Sequence, residues 1–262
     1  MTFLATLCSW DANNLDHEYS IIMDLADATL YDLTFQSERK YTPPPFIKIT
    51  MRNLLVESSA LAGALQFLHE GLQFPDRIAG CCHMDLKPDN IFLHYEQGCP
   101  VGRWKIADFG ISAIRELKES TVQNSGIRDR KAPQDLKMTI ETAMKRGAGP
   151  YVAPEVCRGS DKIGRTSDIW SYGCILVDII ASRMMGNASA QALKSTNGLS
   201  TSKADATNQQ FFFQDPGLNP RYQAWLEDLD KTNELLDVND RDALPDCQTL
   251  LKEMLNVDPD RP

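Results

Sequence analysis

The sequence predicts an α+β fold, with strands at the front and in the centre of the chain and mainly helix elsewhere. Two apolar runs within residues 1–24, TFLATLCSW and EYSIIMD, are joined by a polar turn and predict a pair of strands. Residues 47–70 carry leucine and other apolar residues at three- and four-residue steps, which predicts a long helix with one buried face. Residues 167–181 are apolar on nearly every face, which predicts a fully buried helix.

Short elements fill the space between these features. The segment ATLYDLTFQ predicts a short helix, which ends before the three prolines of YTPPPF because proline cannot continue a helix. Further along, NIFLHY and RWKIADF predict two short strands, and the composition of EQGCPVG predicts the turn between them.

The second half of the chain alternates helix with polar sequence. Residues 115–149 are polar, mixed in charge and without a clear period, so they predict a long loop. Residues 182–210 are rich in Ser, Ala, Asn, Thr and Gln and predict a flexible insertion. The tail predicts helical pieces around 221–229 and 246–256.

Composition narrows the class of protein. The chain has 262 residues, enough for one large domain or two small ones, and its net charge of −9 argues against nucleic acid or an anionic membrane as the main partner. Its most apolar run, 169–180, is shorter than the about 20 residues of a membrane span. Seven cysteines without a CxxC pair favour a reducing intracellular compartment, which we take as the cytoplasm without excluding the nucleus.

Polar residues are concentrated in GCCHMDLKPDN, residues 80–90. Asp85, Lys87 and Asn90 are the residue types that a site for phosphate and divalent metal requires, although a solvated turn also uses them. A second candidate is Asp108, at the end of the apolar strand in KIADFG, where the alternative is a β-bulge before a loop. Because Mg²⁺ prefers carboxylate and amide oxygens, Asn90 and Asp108 together predict a magnesium site that faces phosphate oxygens.

Three further stretches follow in order: GPYVAPEV, SDIWSYGCIL and LLKEMLNVDPDRP. Together with the two stretches above, they resemble the C-terminal lobe of a eukaryotic protein kinase of the serine/threonine type. The resemblance implies a kinase-like large helical lobe at 27–262, which contains the flexible insertion, and a remnant of the small lobe at 1–26, formed by two strands and a hinge.

The resemblance also implies roles for the polar residues. Asp85 matches the catalytic aspartate that orients the substrate hydroxyl and accepts its proton, and Lys87 matches the lysine that contacts the transferring phosphoryl group. Lysine at this place points to serine or threonine as the acceptor. Asn90 and Asp108 match the two magnesium ligands, so the implied cofactors are ATP and Mg²⁺.

ATP binding has implied residues of its own. Met23 matches the gatekeeper position, and the backbone from Asp24 to Ala26 matches the hinge that pairs with adenine. Phe92 matches the residue that lies under the adenine ring.

Other positions match supporting residues of the family. His83 and Phe109 resemble two members of its stacked hydrophobic spine. Asp168 resembles the buried helix acid that holds the catalytic loop by its backbone, and Glu155 and Arg261 resemble an ion pair that anchors the activation segment.

Several features depart from the family pattern. Met84 stands where an arginine usually pairs with a phosphate on the activation segment, so we expect that this contact does not switch the protein on. Ala148 stands where serine/threonine kinases usually have threonine, which weakens the inference about the acceptor. No glycine precedes Gly63 and no lysine precedes Lys40, so no residue ahead of the hinge matches the Gly-rich loop or the lysine that grips ATP. We therefore expect this chain to bind ATP weakly and to transfer phosphate very slowly.

The implied function is a serine/threonine kinase that acts on a protein substrate. One alternative is an inactive, kinase-like binding module. Another is a small-molecule phosphotransferase such as an aminoglycoside or choline kinase, which shares the pattern around Asp85 but not stretches like PYVAPEV and SDIWSYG. The substrate, the pathway and the oligomeric state cannot be read from the sequence.

The expectation for Met84 has a direct test in a form of the chain that is completed with a small lobe. The variant replaces five hydroxyl residues of the long loop with alanine: Ser120, Thr121, Ser125, Thr139 and Thr142. We expect unchanged phosphorylation of a generic protein substrate, because the methionine at position 84 cannot pair with a phosphate as an arginine there would. A collapse of activity in the folded variant would contradict the expectation.

Overall fold

The computed structural model describes residues 3–10, 17–35, 49–75, 77–116, 149–159, 164–186, 189–190, 212–214, 217–229 and 247–256. The strands are β1 (Phe3–Trp10), β2 (His17–Met23), β3 (Ala28–Thr29), β4 (Leu72–Phe74), β5 (Arg77–Cys82), β6 (Ile91–Glu96), β7 (Cys99–Ile106), β8 (Ala113–Glu116), β9 (Phe213–Gln214) and β10 (Gly217–Leu218). The helices are α1 (Leu30–Phe35), α2 (Met51–Glu70), α3 (Pro154–Cys157), α4 (Arg165–Met185), α5 (Pro220–Glu227) and α6 (Cys247–Met254). This mixture of helices and small antiparallel sheets confirms the predicted α+β class.

The first two strands form an antiparallel pair, as the sequence predicted. Thr6 lies opposite Ile21, and the register continues to Trp10 opposite His17. The assignment of residues 1–26 to a small lobe stays a prediction.

A three-stranded antiparallel sheet of order β3-β6-β7 lies next to the predicted site residues. Its strand β6 begins directly after Asn90, and β7 ends two residues before Asp108. The two strands predicted from NIFLHY and RWKIADF are present as β6 and β7, but the predicted turn EQGCPVG was too long. Glu96 already pairs with Cys99, so the turn consists of Gln97 and Gly98, and Gly98 adopts a φ of 88° that suits glycine. Val101, inside the predicted turn, is buried in the core.

A second three-stranded sheet, of order β4-β5-β8, was not predicted. In it Cys81 lies opposite Ile114, and β8 extends into the first residues of the segment predicted as a long loop. The short pair β9-β10 also contradicts the expectation that strands end at the centre of the chain. These strands have two to six residues and no apolar alternation, so the sequence pattern does not indicate them. The pairs β4-β5 and β9-β10 join neighbouring segments, whereas β8 reaches β5 from a distant one.

The long helix α2 begins at Met51 and not at residue 47. Thr50 caps it: the Thr50 hydroxyl accepts a hydrogen bond from the Asn53 amide, and Asn53 Oδ1 accepts one from the Thr50 amide. This reciprocal arrangement satisfies amides that the first helical turn leaves without partners. The helix ends at Glu70, and the amide of Gly71 donates to the carbonyl of Phe67.

The buried helix α4 is the centre of the core. Its side chains from Ser167 to Ala181 are buried apart from the partly buried Ile169, including Trp170 with no exposed surface, as the sequence predicted. The Tyr172 hydroxyl donates to the carbonyl of Ser58, 2.7 Å away, and joins α4 to α2. The helix continues to Met185, so the predicted insertion cannot begin at residue 182. Residues 187–188 and 191–210 of that insertion lie outside the described residues.

An ion pair attaches α2 to the first three-stranded sheet. Glu57 is buried in α2, and its Oε1 lies 2.7 Å from Nη1 of Arg103 in β7. A carboxylate removed from water needs a partner of this kind, so the pair fixes how the helix lies on the strand.

Within the described residues, no helix is both long enough and apolar enough to span a bilayer.

Two neighbouring leucines of α6 test how the core is assembled. Leu251 is 1% exposed and packs in the main core, whereas Leu250 is 44% exposed. We expect Leu251→Ala to lower the free energy of unfolding by about 2–5 kcal/mol through lost burial and a cavity. Leu250→Ala should change it by less than about 0.5 kcal/mol. Denaturant unfolding measures both free energies, and equal effects would mean that α6 does not bury Leu251 in the main core.

Candidate active site

Asp168, in the first turn of α4, lies at the base of the site with no exposed surface. Its Oδ2 accepts hydrogen bonds from the amide of His83 at 2.7 Å and from Nε2 of His69 at 2.9 Å. Its Oδ1 accepts the amide of Met84 at 2.8 Å. A carboxylate that is buried so completely is tolerable because every contact is a donor. Asp168 thus holds the segment before Asp85 by its backbone, as the sequence predicted.

Sequence reasoning missed His69, which completes this arrangement from the last turn of α2. Potential ligand atoms of His69, Cys82 and Asp168 lie within 4.8 Å of one another, and all three residues are buried. The predicted magnesium ligands are not in this group. The His69–Asp168 hydrogen bond spans 99 residues of sequence, and no local pattern indicates it.

The loop after Met84 gathers three of the predicted residues around one carboxylate. Oδ2 of Asp85 accepts from Nζ of Lys87 at 2.7 Å and from Nδ2 of Asn90 at 3.0 Å. Nδ2 of Asn90 also donates to the backbone carbonyl of Asp85 at 2.8 Å. Pro88 begins a 3₁₀ turn that closes with the Asn90 amide on the Lys87 carbonyl, and this turn gives the three side chains their common direction. Asp89, in the same turn, is exposed.

The loop that carries Asp108 lies beside the Asp85 loop. The amide of Ala107 donates to the carbonyl of Asn90 at 2.9 Å, and Nε2 of His83 donates to the carbonyl of Ala107 at 2.8 Å. After Asp108, the ring of Phe109 meets that of His83 edge to face, with 5.0 Å between centroids. Both neighbours of Asp108 are therefore attached to the Asp85 loop.

Asp108 itself is exposed and has a φ of 62°, a left-handed conformation that Asp tolerates better than most residues. Its Oδ1 accepts the amide of Gly110 at 3.3 Å, which helps to hold this conformation. The carboxylate therefore faces solvent at the boundary of the two loops, where a cation can reach it.

The residues predicted to bind adenine lie along another edge. Met23 ends β2 and is exposed, Asp24 is exposed, and Ala26 is partly exposed. After them, the amide of Asp27 donates to the carbonyl of Leu93 at 2.9 Å, which attaches the segment to β6. Phe92 precedes Leu93 in β6, lies opposite Thr29 and is partly buried. The strand that begins directly after Asn90 thus also holds the end of this segment.

The segment around α3 is anchored on α4. Glu155 is buried and accepts a hydrogen bond from the Ser167 hydroxyl at 2.8 Å, while its predicted partner Arg261 lies outside the described residues. The Tyr151 hydroxyl donates to Oδ2 of Asp178 at 2.6 Å. Burial raises the pKa of Tyr151 well above its ordinary value, and the charge of Asp178 raises it further, so the phenol remains a donor. The sequence did not indicate this pair.

Cys81 and Cys82 lie at the start of the loop as buried side chains. Burial raises the pKa of the Cys81 thiol above its ordinary value. A thiol with a raised pKa carries little thiolate at neutral pH, so its role here is packing.

Comparison with known proteins agrees with this architecture. Residues 8–261 match the family model of the protein kinase domain, so the chain belongs to the protein kinase family. A CBL-interacting serine/threonine-protein kinase of Arabidopsis thaliana is 34% identical over 121 residues, which are 46% of this chain and 20% of that protein. The serine/threonine-protein kinase ksg1 of Schizosaccharomyces pombe is 36% identical over 105 residues, 40% of this chain and 16% of the relative.

A solved structure shares the fold. It is a chain in the crystal structure of the yeast RNA Pol II CTD kinase complex, with a TM-score of 0.51 and 17% identity. The match covers 98% of this chain and 69% of the other. The matched stretches of the two sequence relatives are a fifth or less of their length, so the functions of those whole proteins are not transferred.

Asp168→Asn tests the anchor at the base of the site. In asparagine an NH₂ group replaces one carboxylate oxygen. This group is a donor, so it cannot accept the hydrogen bonds of the backbone amides that face it. We expect a loss of about 1–3 kcal/mol in unfolding free energy and faster hydrogen exchange at the amides of His83 and Met84. Asp89→Asn, in the same loop but exposed, is the matched control. Exchange at both amides no faster than in the control would rule out the anchor.

Proposed function

We propose that this chain is the catalytic part of a protein serine/threonine kinase, which transfers the γ-phosphate of ATP to a protein hydroxyl. One observation carries the proposal: Lys87 and Asn90 both contact the carboxylate of Asp85, in a loop attached to both neighbours of Asp108. A base, a cation and two oxygen ligands thus belong to one pair of adjoining loops.

Asp85 orients the acceptor hydroxyl and takes its proton. An aspartate is a weak base at neutral pH, but phosphoryl transfer depends mainly on positioning and charge neutralisation. Lys87 forms an ion pair with Asp85, so its ammonium group lies next to the proposed base. There it supplies a compact positive charge to the oxygen atoms of the phosphoryl group that is transferred.

The residues present fit a magnesium ion. Both hydrogen bonds of the Asn90 side chain use its nitrogen, so the amide oxygen is the atom that remains for a cation. The Asp108 carboxylate is exposed in the adjoining loop, and oxygen atoms of these two kinds are the ligands that Mg²⁺ prefers. When bound, the ion would neutralise phosphate charge. Asn90 and Asp108 would hold it, and the backbone links at Ala107 would keep the two ligands together.

The edge formed by Met23, Asp24, Ala26 and Phe92 is the proposed adenine site. Asp24 and Leu25 are exposed and Ala26 is partly exposed, so a nucleotide can approach this segment and form hydrogen bonds with its backbone. Phe92 supplies a partly buried aromatic face on the neighbouring strand, which suits stacking with a base. Because β6 connects Phe92 to Asn90, a nucleotide at this edge would direct its phosphates toward the Asp85 loop.

Support for a serine or threonine acceptor comes from Lys87 and from the relatives that are named serine/threonine-protein kinases. The position of Ala148, which differs from the family pattern, lies outside the described residues. The proposed substrate is a protein, and the acidic charge of the chain argues against nucleic acid.

The proposal is tested by measuring phosphate transfer from ATP to peptides, with a form of the chain that is completed with a small lobe. We expect Asp85→Asn to lower the rate by at least about 100-fold, because the base is lost while the side chain keeps its shape. Asp108→Asn should lower it by about 100-fold or more and weaken binding of the Mg²⁺ nucleotide. Asp89→Asn should behave as the unchanged protein.

The acceptor is tested with matched peptides that contain serine, threonine or tyrosine at one position. Transfer to tyrosine alone would contradict the proposed specificity. Equal rates for Asp85→Asn and Asp89→Asn would contradict the proposed base. Nucleotide binding without transfer in any form would favour the alternative of an inactive binding module.

A further inference from the structure

We propose that Met84 is a positioning residue: its buried side chain joins the Asp85 loop to the segments around Asp108 and Glu155 by apolar packing alone. The inference rests on the proposed function, in which Asp85 and Asp108 act together. It assigns to Met84 the task of holding their two loops in one arrangement in the unmodified chain.

The backbone of Met84 has an unfavourable conformation. Its φ is 70°, in the left-handed region that a side chain with a Cβ disfavours. Among the described residues, Asp108 is the other non-glycine residue with a positive φ. Such conformations persist only where the surroundings over-determine them, and they concentrate at functional sites.

Two contacts hold Met84 in this conformation. Its amide donates to Oδ1 of Asp168, and its side chain is 1% exposed. The side chain belongs to a small apolar group, which we call the Met84 cluster and which consists of Cys82, Met84, Ile111 and Val156. The hydrogen bond fixes the backbone at one side, and the cluster fixes the side chain at the other.

The cluster connects three segments that are distant in sequence. Met84 directly precedes Asp85, Ile111 follows Asp108 by three residues, and Val156 follows Glu155 in α3. Val156 also packs against the main core, so the cluster is attached to the rest of the molecule through α3. Movement of any one segment would therefore expose apolar surface in the other two.

The chemistry of this connection determines how it responds to conditions. Thioether and aliphatic groups carry no charge, so the contact forms without a phosphate and does not weaken with salt. An ion pair at the same place would depend on both. The structure thus provides a physical reason why the two loops are held together without modification of the segment between Ile111 and Val156.

Hydrogen exchange on the 262-residue chain, without nucleotide, tests the inference. The reporters are amides that bond within their own segments: Ser112 to the Phe109 carbonyl, and Val156 and Cys157 to the Ala153 carbonyl. In Met84→Ala we expect exchange at all three to rise by at least about 10-fold, because local opening no longer exposes the methionine side chain. Met84→Leu should restore exchange close to that of the unchanged chain, since it keeps an apolar side chain of similar volume.

Met84→Gly separates packing from backbone strain. Glycine adopts a φ of 70° without steric cost, so this variant keeps the loop conformation while it removes the side chain. We expect it to resemble Met84→Ala. Met185→Ala, at the partly exposed end of α4, is the control for loss of a methionine and should leave the three amides unchanged.

The outcomes divide clearly. If Met84→Gly or Met84→Ala exchanges like the unchanged chain, the side chain does not join the segments and the inference is wrong. If Met84→Ala does not fold, the reciprocal variant Ile111→Ala decides, because Ile111 is only partly buried: it should speed exchange at Val156 and Cys157, and no change there would overturn the inference. These measurements need no ATP, so a chain that shows the coupling but never transfers phosphate would refute the proposed function alone.

Discussion

The buried carboxylate of Asp168 is the constraint on which the site depends. It takes the amides of His83 and Met84 and the ring of His69 into one hydrogen-bonded group at the start of the core helix α4. An isolated charge at this depth would be very costly, so the loop must bring its donors to Asp168 for the chain to fold. Because that requirement fixes the backbone just before Asp85, the chemistry of the site follows from the stability of the core.

The polar residues of the site lie on loops, but the loops are held by backbone contacts to regular structure. Ala107 bonds to both Asn90 and His83, and it directly follows the strand β7. The sheet that contains β6 and β7 therefore helps to set the separation of the two loops, and the side chains of Lys87 and Asn90 add the contacts around Asp85. A rigid scaffold that carries short functional loops is the usual way to place charges accurately.

Comparison of prediction with structure separates local from distant effects. Asp85, Lys87 and Asn90 lie within six residues, so their meeting follows from a proline and a tight turn that the sequence displays. The strands β4, β5 and β8 were missed because they are short and lack apolar alternation: β4 and β5 pair as neighbours, and β8 joins β5 from a distant segment. The sequence prediction placed the start of α2 too early, because the cap formed by Thr50 and Asn53 does not alter the spacing of apolar residues.

The sequence by itself determined the α+β class, the two long helices and the family, since hydrophobic period and ordered motifs are properties of contiguous residues. It also predicted the side chains to which we assign the proposed chemistry. Only the tertiary structure decided how Asp168 reaches His69 across 99 residues, and how Ile111 and Val156 pack against the buried pair Cys82 and Met84. Such contacts depend on the folded paths of several segments at once, because burial and hydrogen bonding select partners by position in space rather than by distance along the chain.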